Sequence, residues 1–460
     1  LGRPVIGIRE KGLSALESLL FAKYQMYRNV YWQHAVRSAT AMYKRLVEDA
    51  LRAGTIEASR LAAYTDEGLL HDLGRSGAPP LLAAIQERRL YKRAVEAPAA
   101  SLRDLDLEWI AEDRARTRAA EDALAAGALL SETFGDMRWQ IATTATDANR
   151  FALRVARAVT GRPKVLVFNG CYHGTIDEAM VTLDEGGTTI TRPGLLGQAA
   201  DLTLTGVCCE FNDLAAVEAA LAKGDVAAIL TEPVMTNSCM VLPEPGFHEG
   251  LRALATKYGT LLMIDETHTI SSGHGGYTRV HGLQPDIFVV GKCVAGGMPT
   301  SVWGLGPSVA QRYLEVNAGR ASGHSGMGTT LSANPMQFAC LKATLGEVMT
   351  EKNYAKMEKG AARLHRGLAK AIKAHKAPWH VVRVGARVEF ICYPTPLRDG
   401  KEAAQAHKSN LEAAIHQALL NRGCLIAPFH NMMLVSPATK PDQIDRLVAA
   451  FNDVLDTLFA

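Results

Sequence analysis

Apolar residues recur at helical spacing from Ser14 to Gly54, at Leu16, Leu19, Leu20, Met26, Tyr27, Val30, Tyr31, Val36, Met42, Leu46, Val47 and Leu51. A run of about forty residues exceeds the usual globular helix, so the pattern predicts a break near Trp32-Gln33 and a stop at Gly54. Thr65 before Asp66 and Glu67 predicts a capped short helix ending by Gly74. Pro79-Pro80 opens another, running through Arg89. Residues 101–135, rich in Arg, Asp, Glu and Ala, read as helix or helical linker. The front third reads as all-helical.

After Asp136 the period changes. Lys164–Phe168, Ala227–Leu230, Leu261–Ile264 and Asp286–Val290 are short, continuous apolar runs. Helical stretches such as Leu214 to Leu221 and Phe247 to Tyr258 separate them. This alternation predicts an α/β fold with a mostly parallel sheet and helices on both faces. From about Leu345, helices (Tyr354 to His375; Glu402 to Asn421) alternate with strands (Arg387 to Tyr393; Cys424 to Pro428), the pattern of a small α+β domain. The expected organisation is a helical segment over 1–100, a junction over 101–135, a large domain over 136–344 and a small one over 345–460.

Composition sharpens this. At ~150 residues per domain, 460 residues fit about three domains. With 48% hydrophobic and 21% charged residues the chain is neither disordered, collagen-like nor a coiled-coil rod. No run approaches the ~20 apolar residues of a membrane span. A net charge of +3 argues for neither a nucleic-acid nor a membrane surface. The eight cysteines begin at Cys171 and form no C-x-x-C pair, so they read as reduced thiols of a cytoplasmic protein. Only nine of the 40 glycines precede residue 136, which sets a seam near residue 135. The chain starts at Leu1 without Met or signal peptide, as if something upstream were removed or a longer reading frame entered midway.

His71-Asp72, 37 residues after His34, matches the H…HD pattern of metal phosphohydrolases. Adjacent His and Asp can share a divalent cation, but no third ligand accompanies them. The plain reading is a capped surface helix. Gly12 to Tyr31, with Tyr91-Lys92-Arg93-Ala94, resembles the helical C-terminal portion of HD-domain phosphohydrolases. In that family the metal motif lies upstream, so the resemblance makes His71-Asp72 a coincidence and implies no metal site.

Parallel sheets bind ligands beyond the carboxyl ends of their strands. The first apolar run leads into Cys171-Tyr172-His173-Gly174, the second into Thr231-Glu232-Pro233. The third leads into Asp265-Glu266-Thr267-His268, the fourth into Gly291-Lys292. Pyridoxal phosphate (PLP) catalysis needs such a set. A lysine amine holds the aldehyde and moves a proton, and a carboxylate faces the pyridine nitrogen. An aromatic ring stacks on the cofactor, and a helix start holds the phosphate.

Further motifs carry a second resemblance: Thr144 through Asn149 with Ala156-Arg157 and Thr160-Gly161-Arg162, and Thr330 through Asn334-Pro335. With the strand-end residues they make residues ~136–460 similar to class III aminotransferases. The branch is the one containing glutamate-1-semialdehyde aminomutase and β-amino-acid aminotransferases. The resemblance implies the fold type I large domain, a C-terminal small domain and a homodimer with shared sites. It implies Lys292 as the Schiff-base lysine, Asp265 as the pyridinium partner and Tyr172 as the stacking ring. Ala145 and Thr146 would occupy the phosphate turn, and Thr330 would reach the phosphate of the neighbouring subunit. Glu232 would stand on the substrate side of the ring, His268 near the phenolic oxygen, and His173 within the cofactor site. Arg387 is the candidate to hold a substrate carboxylate, or else a solvent-facing strand residue. His324 and His430 read as structural.

Two departures stand out. The family's usual Ser-Gly-Thr-Glu-Ala turn reads Thr-Ala-Thr-Asp-Ala here, so Ala145 needs a negative φ or strains the backbone. The family's own N-terminal segment is replaced by the helices described above. The expected function is PLP-dependent transfer of an amino group between an amino acid and a keto or aldehyde acceptor. The alternatives are a fused or truncated chain that binds PLP without turnover, and an HD-type metal phosphohydrolase.

Overall fold

Apolar runs that alternate with helices lie side by side in one sheet. The computed structural model describes residues 34–75, 79–89, 113–237, 239–427 and 430–459. It divides into two units, Leu1–Glu108 and Trp109–Ala460.

In the first unit, α1 (His34–Arg52), α2 (Asp66–Arg75) and α3 (Pro80–Gln86) surround a small core of Leu46, Ala50, Leu69, Leu73 and Leu82. Thr65 Oγ1 accepts the Gly68 N–H at 3.1 Å, the cap its sequence predicts. His71 and Asp72 sit exposed on α2, where Asp72 accepts the Tyr64 hydroxyl at 3.0 Å. Among the described residues no group of three or more His, Cys, Asp or Glu is arranged to hold a metal. Gly12 to Tyr31, Tyr91 to Ala94 and the His34 side chain lie outside the described residues.

The second unit opens with α4 (Arg114–Phe134), expected as a junction. Its Ala126, Leu130 and Phe134 are buried with Phe288, Val290 and Leu341, in a core shared with the sheet. The sheet follows: β1 (Arg138–Ala142), α5 (Ala145–Thr160) and β2 (Lys164–Phe168), then a hairpin of β3 (Val181–Leu183) and β4 (Thr189–Thr191). Next come β5 (Gly206–Cys209), α6 (Leu214–Leu221), β6 (Val226–Thr231), α7 (Phe247–Tyr258), β7 (Leu261–Asp265), β8 (Ile287–Val290) and β9 (Ser301–Leu305). The spatial order is β1-β9-β8-β7-β6-β2-β5. The five strands β5, β2, β6, β7 and β8 pair in parallel, while β9 and β1 close one edge antiparallel. The four strands predicted from apolar runs appear within a residue or so of their expected bounds.

Beyond α8 (Pro307–Ala318) and α9 (Pro335–Ala343), the C-terminal part is built from α10 (Glu351–Ala374), β10 (His380–Val384), β11 (Arg387–Ile391), α11 (Gly400–Ala406), α12 (Ser409–Leu420), β12 (Met432–Leu434) and α13 (Pro441–Leu458). Its antiparallel sheet β10-β11-β12 has a core of its own around Leu364, Trp379, Phe390 and Phe451. Two details differ from the sequence pattern. The helix expected over Glu402 to Asn421 breaks at His407-Lys408, where Glu412 turns back to accept the Lys408 N–H at 3.2 Å. Residues 424–427 are not a strand, because β12 takes the place beside β11 in register Arg387↔Leu434. No described helix is long and apolar enough to cross a membrane.

Candidate active site

Strands β2, β6, β7 and β8 are parallel neighbours, so their carboxyl ends share one edge. A cavity of about 310 Å³ opens there, walled by Ala145, Thr146, Tyr172, Glu232, Asp265, His268 and Lys292. Seven of the ten residues picked from the sequence meet on it.

Asp265, the last residue of β7, is buried. Its Oδ2 accepts Asn149 Nδ2–H and faces His173 Nδ1, each at 2.9 Å, and its Oδ1 accepts the Thr267 N–H at 3.1 Å. Burial alone would push this carboxyl up, but the bonds from His173, Thr267 and Asn149 overcome it and hold the group at about 2. A buried carboxylate thus stays ionised beside the cavity. His173 stands behind Asp265 rather than in the wall; burial pushes its imidazole down, but neighbouring Cys171 and the bond to Asp265 together raise it well above its ordinary value. Asn149, also fully buried, ties Asp265 to the loop after β2 by a second bond to the His173 carbonyl at 3.1 Å.

Lys292 follows β8 in the left-handed backbone region, at φ +50°. A non-glycine residue there carries strain of ~1–2 kcal/mol, which the surrounding turn must hold. The turn is tight: a Cβ on Gly291 would stand 3.0 Å from Ala145 Cβ. Shielding from water lowers the amine's pKa, Asp265 opposes that and Arg387 adds to it.

Ala145 opens α5 with an ordinary negative φ, so the departure from the family's glycine costs no strain. Thr144 caps the helix: its Oγ1 accepts the Asp147 N–H at 3.1 Å, and its carbonyl accepts the Ala148 N–H at 3.0 Å. The Ala145 and Thr146 N–H groups remain for an anion at a helix start. Gly174, at φ +77°, folds the loop after β2 onto this turn, and a Cβ there would stand 2.1 Å from Thr146 Oγ1. Gly174→Ala is therefore expected to weaken PLP affinity at least tenfold while the far-UV spectrum is kept, read by fluorescence titration.

Three of the expected residues stand outside the wall. Besides His173, Arg387 is 6% exposed, which removes the solvent-facing alternative. Its Nε donates to the His268 carbonyl and to Ser271 Oγ, both at 2.8 Å, and its Nη1 faces Met432 Sδ. It reaches the cavity through the backbone of His268. Thr330 is exposed, and its neighbour Thr329 bonds Thr143 at the cavity rim (Oγ1–Oγ1, 3.1 Å). His324 Nδ1 accepts the Gly326 N–H at 2.9 Å, and His430 Nδ1 lies 4.0 Å from Glu389 Oε1.

The fit to PLP rests on complementary groups. An ionised carboxylate suits a pyridinium nitrogen, a helix start suits a phosphate, and a lysine amine suits an aldehyde. Tyr172, 42% exposed, offers an aromatic ring among the lining residues. Glu232 Oε1, Thr267 Oγ1 and Thr300 Oγ1 are buried, have no hydrogen-bond partner among the described residues, and belong to residues that line the cavity. Such orphaned atoms call for a polar ligand.

Fold and site together define a PLP-dependent enzyme of fold type I. The chain belongs to the class III aminotransferases, whose family model matches residues 111–455. A second model, the HD associated region, matches residues 4–133. The chain is 32% identical over 325 residues to a glutamate-1-semialdehyde 2,1-aminomutase of Desulforudis audaxviator, covering 70% of this chain and 74% of that one. Among solved structures it resembles a glutamate-1-semialdehyde aminomutase of Pseudomonas aeruginosa in complex with PMP. That likeness has 45% identity and a TM-score of 0.72, over 77% of this chain and 81% of that one. An omega-transaminase of Sphaerobacter thermophilus is 26% identical, with a TM-score of 0.67 over 73% and 78% of the two chains. The chemistry of the chain is therefore PLP-dependent amino-group transfer.

Proposed function

We propose that the chain moves an amino group between an amino acid and a keto or aldehyde acceptor, with Lys292 and Asp265 as its catalytic residues. The observation that carries this reading is the pairing, across one cavity, of a lysine amine with a buried carboxylate held ionised by three donors. PLP bound there supplies the electron sink that takes up and returns the amino group. Asp265 keeps a proton on the ring nitrogen. Lys292 Nζ would anchor the cofactor aldehyde and, as an amine of lowered pKa, would take and return the substrate proton. Tyr172 covers one ring face, and the Ala145 and Thr146 N–H groups hold the phosphate. Similarity to glutamate-1-semialdehyde aminomutases makes that compound the first substrate to test.

A homodimer belongs to the same reading. Thr330 lies on an exposed segment beside Leu331 (71% exposed) and Met336 (59%), apolar surface suited to a second copy. The eight free cysteines suit a reducing, cytoplasmic setting. Sedimentation is expected to give twice the 49.5 kDa of one chain, and a monomer at micromolar concentration would remove the shared site. Amino donors offered one at a time to the PLP-loaded protein should convert the visible cofactor band to that of PMP. A protein that takes up no PLP sinks the proposal. One that takes it up but converts with no donor, glutamate-1-semialdehyde included, is a PLP-binding chain without turnover.

A further inference from the structure

Thr236, in the turn after β6, is fully buried and was not singled out by any sequence motif. Its Oγ1 lies 2.5 Å from Glu232 Oε2 and 2.7 Å from His268 Nδ1. Both neighbours line the cavity, whereas Thr236 does not. A hydroxyl has one hydrogen, so Thr236 can donate to only one of these two partners at a time. His268 is held neutral, at about 3, by burial and then by the charges of Arg387 and Lys292. A neutral imidazole has one N–H, on one nitrogen or the other.

Two proton arrangements satisfy these distances. With Glu232 ionised, Thr236 donates to the carboxylate and accepts from His268 Nδ1–H, which leaves Nε2 as a bare acceptor. With Glu232 protonated, the carboxyl donates to Thr236, Thr236 donates to Nδ1, and the ring carries its hydrogen on Nε2. Nε2 has no hydrogen bond among the described residues and is the nitrogen left for the cavity.

We propose that Thr236 is a positioning residue that passes the protonation state of Glu232 to His268, so that one proton decides whether the imidazole gives or takes a hydrogen bond at the cavity. The inference rests on the reading of that cavity as the PLP site, where His268 Nε2 would meet an oxygen of the cofactor ring. Burial raises the Glu232 carboxyl above its ordinary range, while the charge of His173 and the bond to Thr236 oppose the rise. The charged and titratable groups around the pair are Asp265, His173, Lys292 and Arg387, with His430 beyond His268.

The test uses nitrogen-15-labelled histidine, with and without PLP, and assigns His268 by the signals lost in His268→Asn. In wild type and Thr236→Ser, the ring is expected to carry its hydrogen on Nε2 at low pH and on Nδ1 at high pH. Glu232→Gln, whose amide does not titrate, should hold the ring in one tautomer throughout. Thr236→Val, similar in shape, should lose the pH response and shift the midpoint of the visible cofactor band by about one pH unit, the scale of one lost hydrogen bond. A wild-type ring that keeps one tautomer throughout overturns the relay. So does a wild-type response in Thr236→Val or Glu232→Gln. Failure of wild type to take up PLP would overturn the cavity reading alone, because the ring signals of the unloaded protein still report the relay.

Discussion

Lys292→Ala is expected to remove the visible band that PLP gains on binding to the lysine, and to lower amino-group transfer by about a thousandfold or more. The loss would have two parts, since on the proposed reading the same amine both anchors the aldehyde and carries the proton. PLP should still bind, more weakly, through the α5 turn and Asp265. Equilibrium dialysis against absorbance separates retention from lysine attachment. A variant that keeps the band, or that transfers within tenfold of wild type, would reassign the lysine. The left-handed backbone at position 292 adds a second signature: Ala tolerates φ +50° no better than Lys, so the expected change in thermal stability is small.

Asp265→Asn is expected to lower turnover by about a hundred- to a thousandfold while leaving the lysine-bound band in place. An amide cannot hold a proton on the ring nitrogen as a carboxylate does. It also strands His173, whose Nδ1 then faces a neutral group. The pH dependence of stability should change with it. A carboxyl held at about 2 against an ordinary 3.8 binds fewer protons folded than unfolded. The stability it contributes is present above 3.8 and is lost as pH falls toward about 2. His173 works in the opposite sense, contributing below its ordinary 6.5 and losing that as pH rises through its raised folded value. In urea titrations between pH 2 and 9 the variant should lose the acid slope, and of the His173 slope the part that Asp265 rather than Cys171 supplies. An acid limb identical to wild type would show that Asp265 is not ionised in the fold.

What the sequence revealed of this site follows from where its residues stand. Asp265, Glu232, Lys292 and Tyr172 each follow a continuous apolar run, so the topology of a parallel sheet brings them to one edge before any coordinate is known. Asn149 and Thr236 are legible only in three dimensions: one bonds Asp265 116 residues away, the other His268 32 residues away. Thr300 escapes this rule because β9 is antiparallel and begins, rather than ends, at the edge where the other strands finish. The strand β1, Arg-Trp-Gln-Ile-Ala, lies at the sheet edge and mixes polar with apolar residues, so it lacks the apolar signature of its neighbours. Arg387 shows the converse limit. Its place on a strand was legible, but its burial against the loop after β7 depends on contacts no spacing encodes.

Those contacts also bear on how the molecule opens. Gly385, at φ +53°, packs so closely on the loop after β7 that a Cβ would stand 2.3 Å from Ser272 Cα. The Ala386 N–H bonds the Ser271 carbonyl at 3.1 Å, beside the two bonds Arg387 sends to His268 and Ser271. The C-terminal sheet is thus riveted to the backbone that carries His268. Any swing of that sheet would drag the imidazole with it or shear three bonds at once.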